Sequence, residues 1–104
     1  MNYGFASAIT GTKSPVGQGE SEKATDQSKA NVTKLVMAGY DFVLDHVKKM
    51  TPAQLNEPFK LFGRFDMSKA TALAKIFEHQ THHPGQTTVY LRIAKVIPPS
   101  EKLF

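Results

Sequence analysis

The chain has 104 residues, which is enough for one domain at most, and 40 % of them are apolar, in the range of a globular protein. It has no cysteine, so disulfides, zinc ribbons and thiol nucleophiles are excluded. The net charge is +4, but eleven of the thirteen basic residues are scattered lysines, and only Arg64 and Arg92 are arginines. Nucleic-acid readers concentrate basic charge in a stripe and place arginines for bidentate contacts. Neither pattern is present, so no nucleic-acid partner is expected. No apolar run approaches the roughly 20 residues that span a bilayer, so no membrane partner is expected. Met1-Asn2-Tyr3-Gly4-Phe5 lacks the shape of a signal peptide, and a reduced cytoplasmic setting is the default reading.

Residues 1–10 read as the last turns of a helix. Gly11, Pro15, Gly17 and Gly19 make 11–24 a loop, expected to be mobile. A helix is predicted to start near Thr25 or Asp26, either of which suits an N-cap. Val32, Leu35, Val36, Tyr40, Val43, Val47 and Met50 follow at steps of three, four and one, which predicts a single inward stripe. Thr51-Pro52 stops this helix and caps a short one over Ala53–Glu57. Pro58 to Asp66 reads as a connection. Its Phe59, Leu61, Phe62 and Phe65 predict that it packs on the core.

A last long helix is predicted from Ser68, with Ala70, Leu73, Ala74 and Phe77 facing inward. Thr87–Ile97 is ambiguous. Its β-branched and aromatic residues favour a strand, with Val89, Leu91 and Ile93 alternating. Continuity with the upstream spacing favours a helix. Pro98-Pro99 ends either element.

The chemistry lies with the histidines. Three of the four fall within five residues, in Glu78-His79-Gln80-Thr81-His82-His83. On a helix, His79 and His83 share a face, with side-chain roots about 5–6 Å apart. Two imidazoles so placed can share one metal ion. His82 is rotated about 100° from His83 and points aside. His46 sits beside an apolar stripe and reads as a half-buried structural histidine. Pro84 removes a helical hydrogen bond and Gly85 weakens the helix, so a kink or a break is expected there.

His79 to Arg92, followed by Ile97-Pro98-Pro99, resembles the final helix of the DinB-like superfamily, whose pattern is His-x-x-His-His-Arg-Gly-Gln and then an apolar-Tyr-Leu-Arg segment. The close match covers about twenty residues, and the preceding layout agrees loosely over most of the chain. The resemblance implies an all-α, four-helix up-down bundle. It implies a divalent metal held by His79, His83 and a third histidine on the second helix, with zinc or nickel as the metal. The implied activity is metal-dependent hydrolysis or thiol S-transfer on an unidentified small-molecule substrate.

Two departures stand out. Pro84 replaces the pattern's arginine. No histidine precedes His46, which belongs to the next helix, so the third ligand has no counterpart. The chain is therefore expected to be an N-terminally truncated bundle forming a single domain over 1–104. It is then a fragment, or takes its third ligand from a partner chain, or carries a degenerate site. A bundle lacking helices exposes apolar surface, so a homodimer is expected. The alternative to an enzyme is a non-catalytic helical module that acts by self-association.

Overall fold

A computed structural model describes residues 2–100. Two compact units are present, the first ending at Leu73 and the second starting at Ala74. The described chain is mostly helical. Its elements are α1 (Asn2–Thr10), a 3₁₀ turn (Ser21–Lys23), α2 (Lys29–Val47), α3 (Pro52–Asn56), β1 (Pro58–Leu61), β2 (Phe65–Ser68) and α4 (Lys69–Ile93). No helix among the described residues is long and apolar enough to cross a membrane.

In the first unit, α1 packs on α2. Tyr3 meets Phe42 with ring centroids 5.2 Å apart. Gly39 is the buried residue of α2 and faces the Asn2 side chain. This approach covers the Leu35–Gly39–Phe42–His46 side of α2. The predicted inward stripe is therefore split. Leu35, Val43, Val47 and Met50 are half-buried, whereas Val32, Val36 and Tyr40 are exposed.

The helix starts are set by side-chain caps. The cap of α2 is Ser28, whose hydroxyl accepts the Asn31 N–H at 3.3 Å, so the helix begins later than Thr25 or Asp26 predicts. Asp26 is occupied instead in a turn, where its carboxylate accepts the Ser28 N–H at 2.9 Å. That bond holds the Asp26 carboxyl below its usual value. Thr51 caps α3 with Pro52 at its first position, as the sequence predicts, one residue earlier than the expected Ala53–Glu57, and Gln54 makes the cap reciprocal.

The segment read as a connection is an antiparallel hairpin. It pairs Pro58 with Ser68, Phe59 with Met67, Lys60 with Asp66 and Leu61 with Phe65. The all-α expectation is corrected by this two-stranded sheet. Phe62 and Gly63 turn the chain at φ of 52° and 68°, and Arg64 N–H closes the turn on Leu61 C=O at 3.1 Å. A phenylalanine at positive φ is strained. Its ring packs on Phe5 at 5.2 Å, which offsets the cost. Of the four apolar residues expected to pack down, Leu61 is buried and Phe59 half-buried, while Phe62 and Phe65 stay exposed.

Helix α4 follows directly, with Ser68 Oγ accepting the Thr71 N–H at 3.1 Å. Its buried residues are Ala72 and Ile76, one turn apart. The predicted inward face is thus displaced: Leu73 is half-buried, Ala70 and Ala74 are exposed, and Phe77 is 74 % exposed. The helix runs through Pro84 and resolves the ambiguous segment as helical up to Ile93. Lys95, at φ 59°, ends it: its N–H bonds Arg92 C=O at 3.0 Å, and Val96 N–H bonds Leu91 C=O at 2.9 Å. This is a left-handed helix C-cap.

Candidate metal centre

Three histidines sit on α4, in the second unit. The helical rise stacks His79 and His83 one turn apart. Their rings meet edge to face, with centroids 4.7 Å apart and planes at 79°. The two Nε2 atoms are 3.0 Å apart. The His83 Nδ1 lies 3.1 Å from the Gln86 side-chain oxygen. That oxygen only accepts, so Nδ1 carries the hydrogen and the His83 Nε2 keeps its lone pair. The 3.0 Å separation is that of a hydrogen bond, which a His79 Nε2–H makes to the His83 lone pair when no cation lies between the rings.

The spacing can be tested against a metal. Nitrogen ligands lie about 2.0–2.1 Å from zinc, so two of them are about 2.9 Å apart at a right angle and about 3.4 Å apart in a tetrahedron. The observed 3.0 Å falls within that range. The pair therefore fits as two donors of a larger set. Among the described residues, no group of three or more His, Cys, Asp or Glu side chains is placed to hold a metal ion.

The neighbouring groups take other roles. The His82 ring lies farther out, at 6.2 Å from His79 and 5.6 Å from His83. Glu78 pairs with Lys75 at 2.7 Å, and the hydrogen bond and charge of Lys75 hold its carboxyl below the usual value. Arg92 is exposed in the last turn of α4, where positive charge suits the helix dipole. Gln86 stands in the resembled pattern, but sequence reasoning gave it no role. Its position three residues past His83 is the signal that marks it.

The fourth histidine lies in the first unit and is structural, as its apolar surroundings predict. His46 is half-buried against Phe42, with ring centroids 4.3 Å apart, and its Nδ1 is 2.7 Å from Phe42 C=O. It borders a cavity of about 200 Å³ with Thr12, Lys49, Gln54 and Lys69. Two of those groups are already engaged, Lys69 by Glu57 at 2.6 Å and Gln54 by Thr51.

These features define a mostly helical protein with an imidazole pair one turn apart on its longest helix. The sequence matches the DinB family over residues 1–100, and the chain belongs to that family. No curated protein and no solved structure matches it.

Proposed function

We propose that this chain is a metal-dependent protein of the hydrolase or thiol S-transferase type, with a divalent zinc or nickel ion held by His79 and His83. The observation that carries the reading is the pair of Nε2 atoms 3.0 Å apart, with His83 oriented by Gln86. When bound, such an ion lowers the pKa of a water or thiol at an open position and supplies a nucleophile near neutral pH. His79 and His83 act as ligands through Nε2. Gln86 holds the proton of His83 on Nδ1. Glu78 is tied to Lys75 and is not assigned as a base. The remaining positions fall to solvent, substrate or a ligand from another chain. The substrate is a small molecule, and the acting species is a homodimer.

A second reading has its own support. No third ligand stands with the pair among the described residues, which favours a non-catalytic helical module with a degenerate site. Elemental mass spectrometry separates the two, on protein purified without a nickel column. The enzyme reading expects about one transition-metal ion per chain, lost in His79→Ala and His83→Ala and kept in His82→Ala. Absence of metal after incubation with zinc and nickel sinks it and leaves the module.

A further inference from the structure

The cavity beside His46 is independent of the histidine pair, and its whole lining belongs to the first unit. It forms where the ends of α1 and α2 meet α3 and the first residue of α4. Ile9 and Met50 give it an apolar wall, and His46, Lys49, Gln54 and Lys69 a polar one. No acidic side chain lines it among the described residues. Its volume of about 200 Å³ is below the roughly 300–1,000 Å³ of pockets that take whole organic ligands, and suits one small polar group.

The hydrogen-bonding capacity of the lining selects the kind of group. The Gln54 side-chain oxygen accepts the Thr51 N–H, and the amide NH₂ keeps its hydrogens for another partner. Lys69 gives one ammonium hydrogen to Glu57 at 2.6 Å and keeps two. Lys49 makes no ion pair among the described residues. His46 donates from Nδ1 to the Phe42 carbonyl, which holds its ring against the cavity. The helix ends do not occupy the two cations. At the end of α1, Ala6 C=O accepts from Thr10 Oγ1 and Ser7 C=O from the Gly11 N–H. At the end of α2, the carbonyls of Leu44, His46 and Val47 accept the N–H groups of Lys48, Lys49 and Met50. The lining thus offers two ammonium groups and an amide as donors, with the Glu57 carboxylate competing for Lys69 alone. Cationic donors of this kind form charge-assisted hydrogen bonds with oxyanions, and lysine does so as a point charge that needs no planar fit. We propose that this cavity binds the oxyanion group of a small molecule, a phosphate or a carboxylate, through Lys49, Lys69 and the Gln54 amide.

The test titrates the full chain with sodium phosphate and, separately, with sodium acetate. The pH is fixed, and sodium chloride holds the ionic strength constant so that screening does not change. NMR reads the shifts of the histidine rings and the backbone amides. Saturable shifts are expected at His46 and around Lys49 and Gln54, with a dissociation constant on the order of 1 mM. The anion that binds more tightly identifies the group as phosphate or carboxylate. Lys49→Gln is expected to weaken binding about 10-fold. Glu57→Gln is expected to strengthen it about 2- to 5-fold by freeing Lys69, a gain that misfolding cannot produce. Lys95→Gln removes the same charge in the second unit and is expected to leave the affinity unchanged. Shifts that stay linear with both anions overturn the proposal. Saturable shifts at His79, His82 and His83 without His46 overturn it in favour of an anion on α4. An affinity that Lys49→Gln and Glu57→Gln both leave unchanged, or that Lys95→Gln lowers as much as Lys49→Gln does, overturns it in favour of general charge attraction.

Discussion

At the scale of single residues, the histidine pair depends on which nitrogen carries a proton. Gln86 settles this for His83 by accepting from Nδ1 at 3.1 Å. Gln86→Leu keeps the helix and removes that acceptor. It is expected to weaken zinc affinity about 10-fold or more, with unchanged circular dichroism, in a competition titration against a chromogenic chelator. A second residue-scale prediction concerns Lys95, which sits at φ 59° without the freedom of a glycine. A side chain in this left-handed region costs roughly 1 kcal/mol. Lys95→Gly is expected to raise stability by up to about that amount in urea unfolding, less the extra entropy glycine loses. The candidate ligands were legible because two histidines four apart have one geometry on a helix. The role of Gln86 was not, although the residue stands in the resembled pattern, because a glutamine in a helix has many possible partners and its role appears only once His83 is placed.

At the scale of elements, α4 shows how competing local signals resolve. Thr87, Thr88, Val89 and Tyr90 favour a strand by propensity. In the helix, Thr87 Oγ1 donates to His83 C=O at 3.0 Å and Thr88 Oγ1 to Pro84 C=O at 3.1 Å. These hydroxyls bond back to the preceding turn, and the left-handed cap at Lys95 closes the end. The helical spacing upstream was therefore the better guide. The hairpin was hidden for the opposite reason. Phe59 and Leu61 alternate with Pro58 and Lys60, but a four-residue strand is too short for its period to stand out among neighbouring phenylalanines. The inward faces of α2 and α4 were misplaced because a stripe in sequence fixes which residues share a side and leaves open which element covers it. Gly39 and Ala72, small residues, mark the covered sides. Gly85 lies inside α4 with nothing within 4 Å of an added Cβ. Gly85→Ala is expected to stabilise the protein by about 0.8–1 kcal/mol in urea unfolding. It is also expected to leave the metal content of the His79–His83 pair unchanged.

At the scale of the whole molecule, the balance between buried and exposed apolar groups is the governing feature. The described core is Ala6, Ile9, Leu61, Ala72 and Ile76, and two of these five are alanines. Many larger apolar side chains remain exposed, among them Phe62, Phe65, Phe77, Tyr90 and Ile93. Burial rather than hydrogen bonding limits stability in such a chain, because apolar area removed from water is the main favourable contribution to folding. Ile9 is 1 % exposed and is, among the described residues, the largest fully buried side chain, so it anchors α1 alongside the Tyr3–Phe42 and Phe5–Phe62 ring contacts. Small domains are stable by only about 5 kcal/mol or a little more. Removing a buried isoleucine beyond its Cβ costs about 2–5 kcal/mol, because the neighbours do not fill the space. Ile9→Ala is therefore expected to leave a large fraction unfolded at 25 °C, whereas Ile9→Val, at about 0.5–1.5 kcal/mol, leaves a shifted but complete urea transition. An Ile9→Ala protein with an unchanged urea midpoint would mean that α1 contributes little to the folded state, and that stability resides in contacts that the exposed faces make with a second copy. Measuring both midpoints at two protein concentrations separates these cases, since only an associating chain has a midpoint that rises with concentration.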